Sequence, residues 1–113
     1  MGMGGITNIQ WENRLGEISL IIASHLRGEG RGEKAVELLL DQAFHYLNLH
    51  TVCGECYGCN SAVMFWKAVT VAYRGHSTVL WNRKFWQGEY WESLYFAIDE
   101  DGYRKAYSAI HPT

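Results

Sequence analysis

Six consecutive residues, Arg27-Gly28-Glu29-Gly30-Arg31-Gly32, form a basic, glycine-rich stretch between an apolar run and an amphipathic one. A loop of this kind between a strand and a helix suits an anion. The first N–H groups of a helix lack intrahelical partners, and they point where the helix dipole is positive. Glycines let the backbone approach a pyrophosphate closely and take positive φ. Arg27 and Arg31 add charge beside it. Glycine punctuation also marks ordinary connections, so the loop alone leaves both readings open. Two common phosphate loops do not fit. Lys34 follows Glu33 and precedes Ala35, which breaks G-x-x-x-x-G-K-[ST], and there is no G-x-G-x-x-G on an initial βαβ unit.

A second constellation is His50, Cys53, Cys56 and Cys59, spaced H-x-x-C-x-x-C-x-x-C. Thiolates at such spacing can converge from a loop on zinc or an iron–sulfur cluster. The same residues read equally as a strand over 51–59. Alternation along a strand sends Cys53 and Cys59 to one face and Cys56 to the other, which cannot close on one ion. Small buried cysteines are then the expectation. Within this segment Glu55 is a carboxylate able to take a proton directly or through water. It would serve equally as a sheet glutamate that solvates an edge or pairs with an arginine, and Glu17 is open to the same two readings. Asn60 follows, a residue type favoured as a helix N-cap. His25 could touch a phosphate or stand in a solvated loop, whereas His45, His76 and His111 are scattered.

These residues need elements to hold them. Residues 6–11 read as a strand with Ile9 and Trp11 on one face, and Glu12-Asn13-Arg14 as a polar turn. Residues 16–23 are strongly β-prone and nearly continuously apolar toward their end, as in a strand buried on both faces. Val36, Leu39, Leu40, Ala43 and Leu47 recur at helical spacing over 32–47. Glu33 lies in the first turn of that helix, and Asn48 is its stop. A strand over 51–59, a helix over 61–69 and a hairpin of 79–86 with 90–98 around Gln87-Gly88-Glu89 follow. A short helix spans 102–110. The order β-β-α-β-α-β-β predicts an α+β fold with helices packed on a sheet.

The chain has 113 residues, 48 % of them hydrophobic, which suffices for a single domain over 1–113. A net charge of -2 without clustered Lys and Arg speaks against a nucleic-acid surface. No apolar run is long enough for a membrane helix, so no membrane partner is expected. Met1-Gly2-Met3-Gly4-Gly5 lacks the apolar core of a secretory signal, and Ile6 stands where a myristoylation motif needs Ser or Thr. Three cysteines within seven residues are not a disulfide framework, which points to the reducing cytoplasm.

The pattern R-x-x-G-x-G before an amphipathic helix resembles motif A of the GNAT N-acetyltransferases. The resemblance extends to Ile9-Gln10-Trp11-Glu12-Asn13-Arg14 with Gly16–Ile22, which look like the strand pair before that motif. It includes Leu38–Phe44 with Leu47-Asn48-Leu49-His50, and Phe85–Ser93, which looks like the last hairpin. It covers residues 5–100 and is similar to the branch holding ribosomal-protein N-terminal acetyltransferases and spermidine acetyltransferases. It implies a GNAT fold with a mixed, mainly antiparallel sheet, lacking the opening strand, two helices and strand of the family. It implies acetyl-CoA as co-substrate, with no metal, and an amine acceptor such as a protein N-terminus or polyamine. The pyrophosphate would lie on Gly28, Glu29, Gly30, Arg31, Gly32 and Glu33 beside Arg27, the pantetheine arm along Leu20, Ile21 and Ile22, and Asn60 would touch the cofactor.

Glu55 stands where many relatives carry a glutamate base. Trp66 falls nearest the usual position of a tyrosine acid, but an indole N–H does not titrate usefully, so Tyr57 or Tyr73 would have to substitute. The family's Gly-aromatic turn after this helix is replaced by Lys67–Tyr73, with no glycine until Gly75. The missing opening portion would leave a sheet edge bare, and a homodimer covering it is expected. Two alternatives to a working enzyme follow: a catalytically impaired module that binds CoA or a partner chain, and a cysteine-cluster metal protein.

Overall fold

The computed structural model describes residues 2–22, 31–59 and 62–110. The chain falls into two compact units, Met1–Val52 and Cys53–Thr113. Among the described residues there are five strands and three α-helices, in the order β-β-α-β-α-β-β-α.

In the first unit β1 (Gly2–Gln10) and β2 (Leu15–Ile22) form an antiparallel hairpin, with Gly2 opposite Ile22 and Ile6 opposite Ile18. β1 begins earlier than the sequence suggests. Glycines are poor strand formers alone, but Gly2, Gly4 and Gly5 are held by ladder pairing with β2. It also ends earlier. The chain turns after Gln10, with Asn13 N donating to Gln10 O at 3.2 Å and Arg14 at φ 56°. Trp11 therefore lies in the turn, 60 % exposed, and not on a strand face with Ile9. Along the start of β2, buried Gly16 and Ile18 alternate with exposed Glu17 and Ser19, the pattern of a strand with one buried face there.

The expected single helix over 32–47 is two pieces. α1 (Arg31–Asp41) buries Val36 and Leu40, and a π-helical turn (Gln42–Tyr46) follows, closed by Leu47 N donating to Gln42 O at 2.9 Å. The wider turn puts the adjacent Ala43 and Phe44 both inside, while Tyr46 is exposed. Asn48 stops the helix as its type predicts, at φ 58°. Arg14 fastens this exit: its Nε donates to Asn48 O at 2.8 Å, and its own carbonyl accepts from His50 N and Thr51 N.

β3 (Thr51–Tyr57) leads from the first unit into the second, which holds α2 (Val63–Ala72), β4 (His76–Trp86), β5 (Glu89–Asp99) and α3 (Glu100–Ile110). Its strands lie in the order β3-β5-β4, so β4 is an edge. One face of β3 and β5 packs inward through Cys56, Leu94, Phe96 and Ile98. The helices add Trp66, Val69, Tyr103 and Ala106 to that core.

α2 runs past the position where the resemblance puts a Gly-aromatic turn. It ends instead in a Schellman cap: Gly75 N donates to Thr70 O at 2.8 Å and Arg74 N to Val71 O, with Arg74 itself left-handed at φ 56°. Asp99 caps α3 by accepting from Gly102 N at 2.8 Å, and Glu100 and Asp101 in the first turn suit its dipole.

Candidate functional site

The segment that the sequence marks as a candidate anion loop lies between β2 and α1 of the first unit. The backbone of Leu20, Ile21 and Ile22 forms the last rungs of β2, opposite Gly4, Met3 and Gly2. α1 then starts at Arg31, with Gly32 and Glu33 in its first turn. α1 opens one residue before the expected start at 32, and the first-turn N–H groups of a helix generally lack intrahelical partners. Arg27, Gly28, Glu29 and Gly30 lie outside the described residues, as do His25 and Asn60.

In the second unit the candidate base is part of a network across three strands. Glu55 on β3 accepts from Arg83 Nε on β4 at 2.9 Å and from Arg83 Nη2 at 3.3 Å. Ser93 on β5, fully buried, donates its hydroxyl to the same carboxylate at 2.6 Å. The Arg83 hydrogen bonds and then the Ser93 hydroxyl hold the Glu55 carboxyl below its ordinary range, against a smaller upward push from desolvation. The arginine-paired reading of Glu55 is thus what this geometry presents.

Trp66 is buried and stacks on Phe96 with centroids 4.9 Å apart and planes 17° apart. It fills the core, and its backbone carbonyl takes the Thr70 hydroxyl at 2.8 Å. Of the two tyrosines that could supply a phenol, Tyr73 is buried and stacks against Tyr103 at 6.0 Å, while Tyr57 is exposed. Cys56 is buried and Cys53 half-buried on β3, and Cys59 sits in the turn beyond it. Burial raises the Cys56 thiol above its ordinary value, with the neighbouring Cys59 adding to the effect. Among the described residues no group of three or more His, Cys, Asp or Glu side chains is placed to hold a metal ion.

Several residues of this face escape sequence reasoning. Arg83 and Ser93 lie 28 and 38 residues from Glu55. The hairpin turn at Gln87-Gly88 fixes the pairs Trp86–Glu89 and Lys84–Trp91, but the register shifts between Leu80 and Lys84. Asn82 there has φ 57°, so the bulge decides where Arg83 points.

Residues 1–65 match the family model described as Acetyltransferase (GNAT) domain. A sequence search of curated proteins finds no match. Among solved structures, mutant forms of the spermidine/spermine N-acetyltransferase SpeG from Vibrio cholerae are similar at TM-score 0.79 and 23 % identity, over 93 % of this chain and 60 % of that one. SpeG from Vibrio cholerae in complex with manganese ions gives TM-score 0.76 and 24 % identity, over 93 % and 61 %. A further spermidine N-acetyltransferase SpeG mutant from Vibrio cholerae gives TM-score 0.71 and 25 % identity, over 87 % and 57 %. The chain spans about three fifths of the length of these solved proteins.

Proposed function

This chain belongs to the GNAT acetyltransferase family, and on that premise we propose that it binds acetyl-CoA and transfers the acetyl group directly to a primary amine. The observation that carries this reading is the succession of β2, the segment bearing Arg27 to Gly30, and α1 opening at Arg31 within the matched residues. In this reading the pyrophosphate lies on the N–H groups of Gly28 to Glu33, the pantetheine arm pairs with Leu20–Ile22, and Asn60 contacts the cofactor. The amine nitrogen attacks the thioester carbonyl, loses a proton to a base, and the C–S bond breaks as the thiolate gains a proton. The similarity to spermidine and spermine acetyltransferases favours a polyamine as acceptor, with a protein N-terminus the other candidate. The cytoplasm and a homodimer complete the proposal.

A second reading is a CoA-binding module with impaired catalysis, and two observations favour it. Glu55, the residue at the family's base position, is engaged by Arg83 and Ser93. Trp66, at the usual acid position, is packed in the core. Calorimetry with acetyl-CoA, followed by free-thiol release with spermidine, spermine and a peptide N-terminus, separates the readings. Micromolar binding with thiol release supports the enzyme. Binding without release leaves the module, and no binding at millimolar ligand rejects both. Glu55→Gln is expected to lower turnover and spare CoA binding if Glu55 is the base, and unchanged turnover removes it from that role.

A further inference from the structure

The outer face of the β3-β5-β4 sheet carries an ammonium group seated between two aromatic rings. Lys84 Nζ lies 5.2 Å from the centroid of Tyr57 and 5.7 Å from that of Trp86. Both distances fall within the range where a cation is drawn to a ring face. No carboxylate pairs with Lys84 among the described residues, so the rings are what hold its charge. Tyr57 and Trp86 are both exposed, 37 % and 49 %, so the slot opens to solvent. Its electrostatics suit a cation in two further ways. Glu55 neutralises Arg83, the residue next to Lys84, through paired hydrogen bonds. Glu89 is the cross-strand partner of Trp86, which puts a carboxylate on the same face of the hairpin.

We propose that Tyr57 and Trp86 form a binding slot for an alkylammonium group of a polyamine, and that Lys84 occupies it as a built-in competitor. A primary ammonium on a flexible alkyl stem is the same chemical group as the end of a lysine side chain. A ligand ammonium therefore finds the same two ring faces once the Lys84 chain swings out. A polyamine has further ammonium groups to set near Glu89, which a monoamine lacks. The choice of a polyamine rests on the acceptor reading above, but the slot is read without acetyl-CoA present, so its failure is distinguishable from a failure of acetyl transfer.

The test is spermidine binding to the full chain, followed by NMR shifts of the Trp and Tyr rings at fixed ionic strength. Lys84→Ala empties the slot and is expected to tighten binding at least about fivefold. Lys67→Ala on the second unit's α2 removes the same charge elsewhere and is expected to leave binding within about twofold of the parent. Adding Trp86→Leu to Lys84→Ala is expected to abolish the gain, and circular dichroism checks that each variant is folded. The proposal is overturned if Lys84→Ala binds no tighter than Lys67→Ala. It is equally overturned if the gain survives loss of Trp86, since binding would then follow net charge and not the rings.

Discussion

A carboxylate that already accepts three hydrogen bonds is a weak proton acceptor, and Glu55 accepts from two nitrogens of Arg83 and from the Ser93 hydroxyl. The Ser93 bond is part-buried and charge-assisted, so Ser93→Ala is expected to cost about 1.5–3 kcal/mol by urea denaturation. It should also move the Glu55 carboxyl back toward its ordinary range, readable by NMR titration. The pH dependence follows from the direction of the shift. Because the folded-state pKa of Glu55 is lowered, its stabilisation is present in full above the unfolded value, near 4.5, and is lost as pH falls through the folded value. Denaturation midpoints between pH 3 and 7 should therefore fall at the acid end, and less steeply in Glu55→Gln. An equal slope in the variant would locate the acid sensitivity elsewhere. The sequence shows the residue type and allows an arginine partner. Which arginine it is depends on a bulge in β4, where Asn82 takes an unusual left-handed conformation, and no local pattern signals that.

The elements are held by turns whose residues are only partly the preferred ones. Gln87 and Gly88 both have positive φ, 51° and 82°, as a two-residue type I′ hairpin turn requires. Glycine meets that freely, but glutamine pays a steric cost that asparagine largely avoids. Gln87→Asn is expected to stabilise the chain by about 0.5–1 kcal/mol, seen as a rise in Tm of a few degrees. Gly75 is different, because close approach dictates its type. A Cβ there would stand 2.4 Å from the carbonyl oxygen of Ala97 on β5, next to the Schellman cap of α2. Gly54 faces the Phe96 ring, with Phe96 Cζ 2.6 Å from where a Cβ would be. Phe96 is itself stacked on Trp66 and cannot yield cheaply. Gly54→Ala is therefore expected to destabilise by about 1–3 kcal/mol, the usual range for overpacking, and a neutral result would show that the ring moves. Element type was legible throughout, from apolar spacing in α1, β-branched and aromatic runs in β3 to β5, and Gln87-Gly88 between strands. The misplaced edges have tertiary causes. Ladder pairing recruits the glycines of β1, the Arg14 turn claims Trp11, and burial of both Ala43 and Phe44 opens a π turn where helical spacing alone predicts an unbroken helix.

At the scale of the whole molecule, the two units each have their own core, Val36, Leu40 and Phe44 in one and Phe96, Ile98 and Tyr103 in the other. The features expected to hold CoA pyrophosphate and pantetheine belong to the first unit, within the residues that match the GNAT family model. Ligand that binds only the folded state adds stability by mass action, about 2.7 kcal/mol at a hundredfold excess over Kd. The gain in amide protection should be greatest where the ligand takes hydrogen bonds directly. Hydrogen exchange with saturating acetyl-CoA is therefore expected to slow the amides of Leu20–Ile22 and of the first turn of α1 most. Desulfo-CoA should reproduce this pattern, since the proposed binding mode sets the pyrophosphate and not the thioester on the loop. Adenosine, which lacks both pyrophosphate and pantetheine, should not. Protection concentrated in the β4–β5 hairpin instead would mean that this chain holds its cofactor by a route other than the strand-to-helix opening at Arg31.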